Sequence, residues 1–297
     1  MAGAMRSESG ALEAAMRALS TEPSLKRQRA AQSAFKRATL AWKQAYAFRT
    51  GPFVASEAFQ RAAFWPTRAS LVDTVLTDEA PIDEARVEQL GVDARGLYAL
   101  EYLLFDQSNA RSMLLPSDGR GQRARAFGFQ LSANVLGYAE RIQRLLGDGR
   151  EYAASFSNAG KQSADMLVAQ ARDTLSVISG KFARIERARS ENLSLPFAVE
   201  GYFSGSSLEI VLAILDGAHR LYVGGGSGGL SALVASVSKP IDDHVCAAFD
   251  EAERRLGAMG MPIETALNAR PERFTSAALA VAELRHVIEI EMASALS

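Results

Sequence analysis

The stretch GLYALEYLLF, Gly96 to Phe105, sets one glutamate among apolar residues with a tyrosine on either side. On a helix, residues three, four and seven apart share a face. Tyr98, Glu101, Tyr102 and Phe105 therefore fall on one stripe, and Leu97, Leu100 and Leu104 on the opposite one. A helix apolar on both sides is expected to be buried, and a buried carboxylate needs a partner, a metal ion or a proton. A structural pair, a functional site and a plain solvated face all remain open at Glu101 on spacing alone.

Helical spacing extends outward from this stretch in both directions. Apolar steps of three and four run through Phe35, Ala38, Trp42 and Ala45, and through Phe127, Leu131, Val135, Tyr138, Ile142 and Leu145. They return in Ala171, Leu175, Ile178, Phe182 and Ile185, in Ile241, Val245, Phe249, Ala252 and Leu256, and in Phe274, Ala278, Val281, Leu284 and Ile288. Period-two alternation is not sustained anywhere, so the chain reads as all-α with helices long enough for bundles. Breaks fall at Gly51–Phe53, Trp65–Pro66, Leu114–Gly121, Gly147–Gly149, Ser194–Gly205, Gly224–Gly229 and Met259–Pro262. The break at 147–149 divides the chain into two helical-bundle domains, 1–150 carrying the GLYALE stretch and 151–297. A faint repeat accompanies that division: AWKQAYAFRTGPF and ILDGAHRLYVGGGSGGL both close a helix with a tyrosine and then reach glycine, which suggests an internal duplication.

Composition narrows the function classes. The chain has 297 residues, 48% hydrophobic and 23% charged, which suits a globular protein. Its 33 basic and 34 acidic side chains nearly cancel, so the electrostatic footprint of a nucleic-acid binder is missing. One cysteine, Cys246, excludes an intrachain disulfide and a cysteine-rich zinc site, and is expected to be a small buried residue. The longest charge-free run, Leu221 to Ser238, is rich in glycine and serine and makes a poor membrane span. The opening MAGAMRSESGALEAAM lacks a basic segment followed by an apolar core, and its first few residues resemble a cloning remnant.

Familiar catalytic patterns fail on context. GGGSGG, Gly224 to Gly229, contains G-x-G-x-x-G with Asp242 further on, but it follows a helical pattern with Ser206 and Glu209 as a capping box, where a dinucleotide fingerprint follows a strand. The same context argues against a nucleophile elbow. Of the three histidines, His286 has one-turn spacing to Glu289, His244 follows two aspartates near a helix start, and His219 continues an apolar face.

Taken together, the motifs resemble the imelysin-like proteins. GLYALEYLLF is similar to that family's GxHxxE segment, AWKQAYAFRTGPF to its early helix, RAAFWP to the following turn, and GKQSADMLV with SGSSLEIVLAILDGAHRLYVGG to its second half. The resemblance spans residues 30 to 255. It implies an all-helical fold of two bundle-like domains related by duplication, with a site near their junction. It also implies a periplasmic or lipid-anchored envelope protein linked to iron regulation or uptake, in a family also catalogued as metallopeptidases. The family's motif histidine is Tyr98 here, while Gly96 and Glu101 keep their places. A phenol with a pKa of about 10 is a poor zinc ligand and suits ferric iron or a hydrogen bond to an organic ligand. Zinc-dependent peptide hydrolysis is accordingly not expected.

By the same resemblance, Glu101 is the ligand-binding or metal-binding carboxylate and Arg49 the cation placed near it, with Ser206 and Ser207 contributed from the second half. Arg61 and Trp65 come from the intervening turn. The expected cargo is iron, another metal ion or a small ligand held in the interdomain cleft without catalysis, and other envelope proteins are the expected partners. The alternatives are a metallopeptidase that recruits His244 or His286 to Glu101, and an interaction module without ligand.

Overall fold

The computed structural model describes residues 1–105, 114–147, 150–224 and 229–296, and among these every regular element is helical. The longer helices are numbered here and shorter turns left unnumbered. They are α1 (Ala2–Thr21), α2 (Leu25–Gln44), α3 (Gly96–Phe105), α4 (Gly119–Gly147), α5 (Lys161–Ser190), α6 (Ser207–Val223), α7 (Lys239–Gly257) and α8 (Pro271–His286). The chain forms two compact units. The first comprises Met1–Trp42, Gly51–Gly149 and Glu200–Ser206, and the second Lys43–Thr50, Arg150–Val199 and Ser207–Ser297. Each half thus lends a short segment to the other's unit.

In the first unit, α1 packs along α4, and α3 packs on α4 beside it. The stripe that makes this possible in α1 is Met5, Ser9, Leu12, Met16 and Leu19, all buried, with the Trp42 indole N–H of α2 donating to Ser9 Oγ at 3.1 Å. The buried stripe of α1 begins at Met5, while Met1, Gly3 and Ala4 are exposed. Phe35, Ala38, Trp42 and Ala45 are buried, as are Phe127 to Ile142 of the α4 stripe, but Leu145 is 39% exposed. The stripe outruns the core there, one turn before the end of α4.

In the second unit α5, α6, α7 and α8 carry the core through Leu175, Ile178, Phe182, Tyr222, Phe249, Phe274 and Val281. Ala277 replaces Ala278 at the buried position, and Ile241 is only half-buried while its neighbour Asp242 is buried, accepting from Tyr222 at 2.8 Å and Ser231 at 2.6 Å. Cys246 is half-buried, and burial raises its pKa. The two stretches that read as a faint repeat meet here. Gln44 donates to Asp216, and a methyl group on Gly217 would stand 2.2 Å from the Gln44 carbonyl oxygen, so α6 approaches the end of α2 at a point only glycine allows. Asp148, Gly149 and 225–228, within two of the predicted breaks, lie outside the described residues. No described helix is long and apolar enough to cross a membrane.

Candidate functional site

Gly96 begins α3 with φ of +74°, and a Cβ there would lie 2.5 Å from the Ala62 carbonyl oxygen. A side chain could enter neither the conformation nor the space, so glycine fixes where α3 starts and which way its stripe points. The result is burial of the whole helix through Leu104, with Glu101 3% exposed and Tyr98 2% exposed.

The partner of Glu101 comes from the Glu200–Ser206 segment of the same unit. That segment is a tight turn, closed by Ser206 N–H to Gly201 O at 2.9 Å and Gly205 N–H to Tyr202 O at 3.1 Å. It aims two donors of one residue at one carboxylate oxygen: Ser204 N–H at 3.0 Å and Ser204 Oγ–H at 2.6 Å, both to Glu101 Oε1. Phe203 packs edge-on to Tyr102, with centroids 6.0 Å apart, and seats the turn on α3.

Glu200, at 6% exposure, brings a second carboxylate to this buried place. Burial pushes the Glu101 pKa up to about 7. The two Ser204 hydrogen bonds and the charge of Lys36 pull it down, and the Glu200 charge pushes it further up. The Tyr98 phenol is raised well above its ordinary range, first by burial and then by the charge and hydrogen bonding of Glu200 and the charge of Glu101. The arrangement is a buried cluster of oxygen donors, two carboxyl groups and a phenol, with the charge of Lys36 acting on Glu101.

The other predicted residues distribute as follows. Ser206 belongs to the turn and donates to the Ser204 carbonyl at 3.5 Å. Ser207 turns elsewhere: its hydroxyl donates to Glu264 at 2.6 Å and accepts from Ile263 N–H at 2.9 Å, within the second unit. Arg49 is part of the second unit, its guanidinium lying 3.9 Å from the Tyr46 ring centroid and donating to the Tyr46 hydroxyl at 2.9 Å. Lys36, one turn beyond Gln32, which caps the Leu104 carbonyl at 2.7 Å, is a cation that acts on Glu101. Arg61 faces Glu57 at 3.2 Å and Glu88 at 3.8 Å, and Trp65 is half-buried before Pro66. Glu289, one turn from His286, pairs with Arg285 at 3.5 Å. Sequence reading missed Glu200 and Ser204. Glu200 carried a usable signal, because FAVEGYF isolates one acid among apolar residues just as GLYALEYLLF does. Ser204 carried none, since its role depends on how the turn closes.

The sequence matches the family model described as Imelysin (Peptidase_M75) over residues 2–290. The chain belongs to the imelysin family. Its fold is shared with a protein from Parabacteroides distasonis ATCC 8503, provisionally described as an iron-regulated protein A precursor, at a TM-score of 0.81 and 17% identity over 100% of this chain and 90% of that one. An imelysin-like protein from Psychrobacter arcticum 273-4 superposes with a TM-score of 0.71 at 15% identity, over 99% of this chain and 90% of the other. No curated protein sequence matches. The imelysin relationship reaches well beyond residues 30 to 255, taking in the buried α1 stripe and all of α8.

Proposed function

We propose that this imelysin is a non-enzymatic envelope binding protein whose cargo is a hard cation, ferric iron, taken by the Glu101 cluster. The observation that carries the reading is the pairing of Glu101 and Glu200, two buried carboxyl groups, beside the buried Tyr98 phenol. Burial first, and then repulsion from the Glu200 charge, raise the Glu101 pKa to about 7, so the site keeps a proton near neutral pH. A trivalent cation removes that repulsion and replaces the proton. The donor set fits such an ion, since all three groups offer oxygen and a phenolate is a strong ligand for ferric iron. Both serine donors converge on Oε1 and so orient the carboxylate.

A zinc peptidase finds less support, because the motif position is Tyr98 and two of the three histidines, His219 and His244, are paired with Glu253 and Glu291. The envelope location follows from the family resemblance.

The test is ferric titration of the metal-free chain, with iron supplied as a weak chelate. The expected result is one ion per chain with a visible tyrosinate-to-iron charge-transfer band. The band should vanish in Tyr98→Phe, and uptake should fail in Glu101→Gln while the helical circular dichroism is kept. Ferric uptake unchanged in both variants, or no uptake by the parent chain, would overturn the reading.

A further inference from the structure

We propose that His219, Asp250 and Glu253 form a separate site, at the surface of the second unit, for a divalent first-row transition ion. The three residues come from two packed helices, His219 from α6 and the Asp250, Glu253 pair from one turn of α7. One ligand atom from each lies within 4.8 Å of the other two. His219 Nδ1 stands 2.8 Å from Glu253 Oε1. That separation suits a hydrogen bond, and it is also close to the spacing of two donors on one ion, since bonds of about 2.0–2.2 Å set neighbouring ligand atoms about 3 Å apart.

Two further features point to an ion and not only to a histidine–glutamate pair. The imidazole is stacked on Phe249, with centroids 4.6 Å apart and planes 5° from parallel, so its plane is fixed before any ligand arrives. Asp250 makes no hydrogen bond or ion pair among the described residues and remains available as the third donor. The nearby cation, Arg220, gives its hydrogen bonds to both oxygens of Asp216 at 3.0 and 2.9 Å and meets Glu253 through its charge. The donor set mixes one imidazole nitrogen with two carboxylates. It therefore selects zinc, cobalt or nickel over calcium and magnesium, which prefer oxygen alone. Three protein ligands leave the remaining positions to water.

The site shares no residue with the Glu101 cluster, and its test is arranged to keep the two apart. The full chain and its Glu101→Gln variant are titrated with Zn²⁺ by calorimetry, and with Co²⁺ while the imidazole resonances of the three histidines are followed by NMR. The expected result is one Zn²⁺ bound equally by both chains, with Co²⁺ perturbing His219 first. His219→Ala should abolish that binding. Asp250→Asn, an exposed change that leaves packing untouched, should weaken it by about 10-fold or more, at least the loss that removing a ligand's own support produces. His244→Ala, at the other surface histidine–glutamate pair, should change nothing. Zn²⁺ affinity unchanged in both His219→Ala and Asp250→Asn, or no Zn²⁺ bound by the parent chain, would overturn the proposal.

Discussion

Two glutamates are buried against serines of the same YFSGSS stretch, and they are handled differently. Glu264 opens a short helix, and Ser207 serves it as a two-way link, donating to the carboxylate and accepting the neighbouring Ile263 N–H. Burial raises its pKa, the Ser207 bond and its own backbone N–H lower it, and the one acid that pushes on it, Glu209, is exposed at the start of α6. Every group in that arrangement has a local structural task. Glu101 likewise accepts from a serine, but Glu200 and Tyr98 share its burial. A place in the first turn of a helix, tied to Ser207, explains the first glutamate. Two acids and a phenol gather around the second, and that clustering separates a candidate site from a buried structural pair.

The largest effect expected from this contrast is on stability against pH in the metal-free protein. Glu101 has a folded pKa of about 7 against 4.5 for an ordinary glutamate, so the folded chain holds a proton that the unfolded chain has released. The stabilisation linked to that proton is complete below pH 4.5, falls as pH rises, and is gone once pH passes 7. The loss is on the order of 3 kcal/mol. Glu101→Gln cannot titrate and keeps an acceptor for Ser204. Its stability relative to the parent chain should therefore climb by that amount across the window, read by urea unfolding at a series of pH values. Glu264→Gln should show the same sign with a smaller rise. Parallel curves for parent and Glu101→Gln would break the comparison.

A middle-sized effect separates the two serines. Ser204→Ala removes the 2.6 Å donor and leaves Glu101 only a backbone N–H, which above pH 7 should cost about 1–3 kcal/mol and weaken ferric binding as well. Ser207→Ala should cost a similar amount by stranding Glu264 and Ile263 N–H, yet leave ferric binding as it was. If both variants lost ferric binding equally, the division between a structural and a functional glutamate would fail.

Much of this was legible in the sequence because helices announce themselves by period. The stripes through Trp42, Val135, Ile178 and Phe249 are buried where the spacing put them, and the isolation of Glu101 among apolar residues marked it as buried. What could not be read is which residue meets which across long separations. Ser204 reaches Glu101 over 103 positions, and Ser206 and Ser207, adjacent in sequence, turn to different partners because α6 begins between them. Arg49 was placed near Glu101 by resemblance, and its guanidinium also has a use that the sequence did not show, the Tyr46 ring beside it.

The smallest effect concerns the two tyrosines that flank Glu101. Tyr98 is drawn into the carboxylate cluster through Glu200. Tyr102, one turn on, sends its hydroxyl to Asp73, 3.1 and 3.2 Å from the two oxygens, and uses its ring to hold Phe203. Its hydroxyl is thus a tie between α3 and the helix Ala69–Thr77. Tyr102→Phe keeps the ring and loses the hydroxyl bonding to Asp73, so it should cost about 1–2 kcal/mol by urea unfolding. The cost should not depend on the Glu101 window, because the bond touches neither Glu101 nor Glu200, and the ferric charge-transfer band should survive. A Tyr102→Phe chain that lost the band while Tyr98→Phe kept it would assign the phenol ligand to the wrong stripe position and move the cluster from Glu200 toward Asp73.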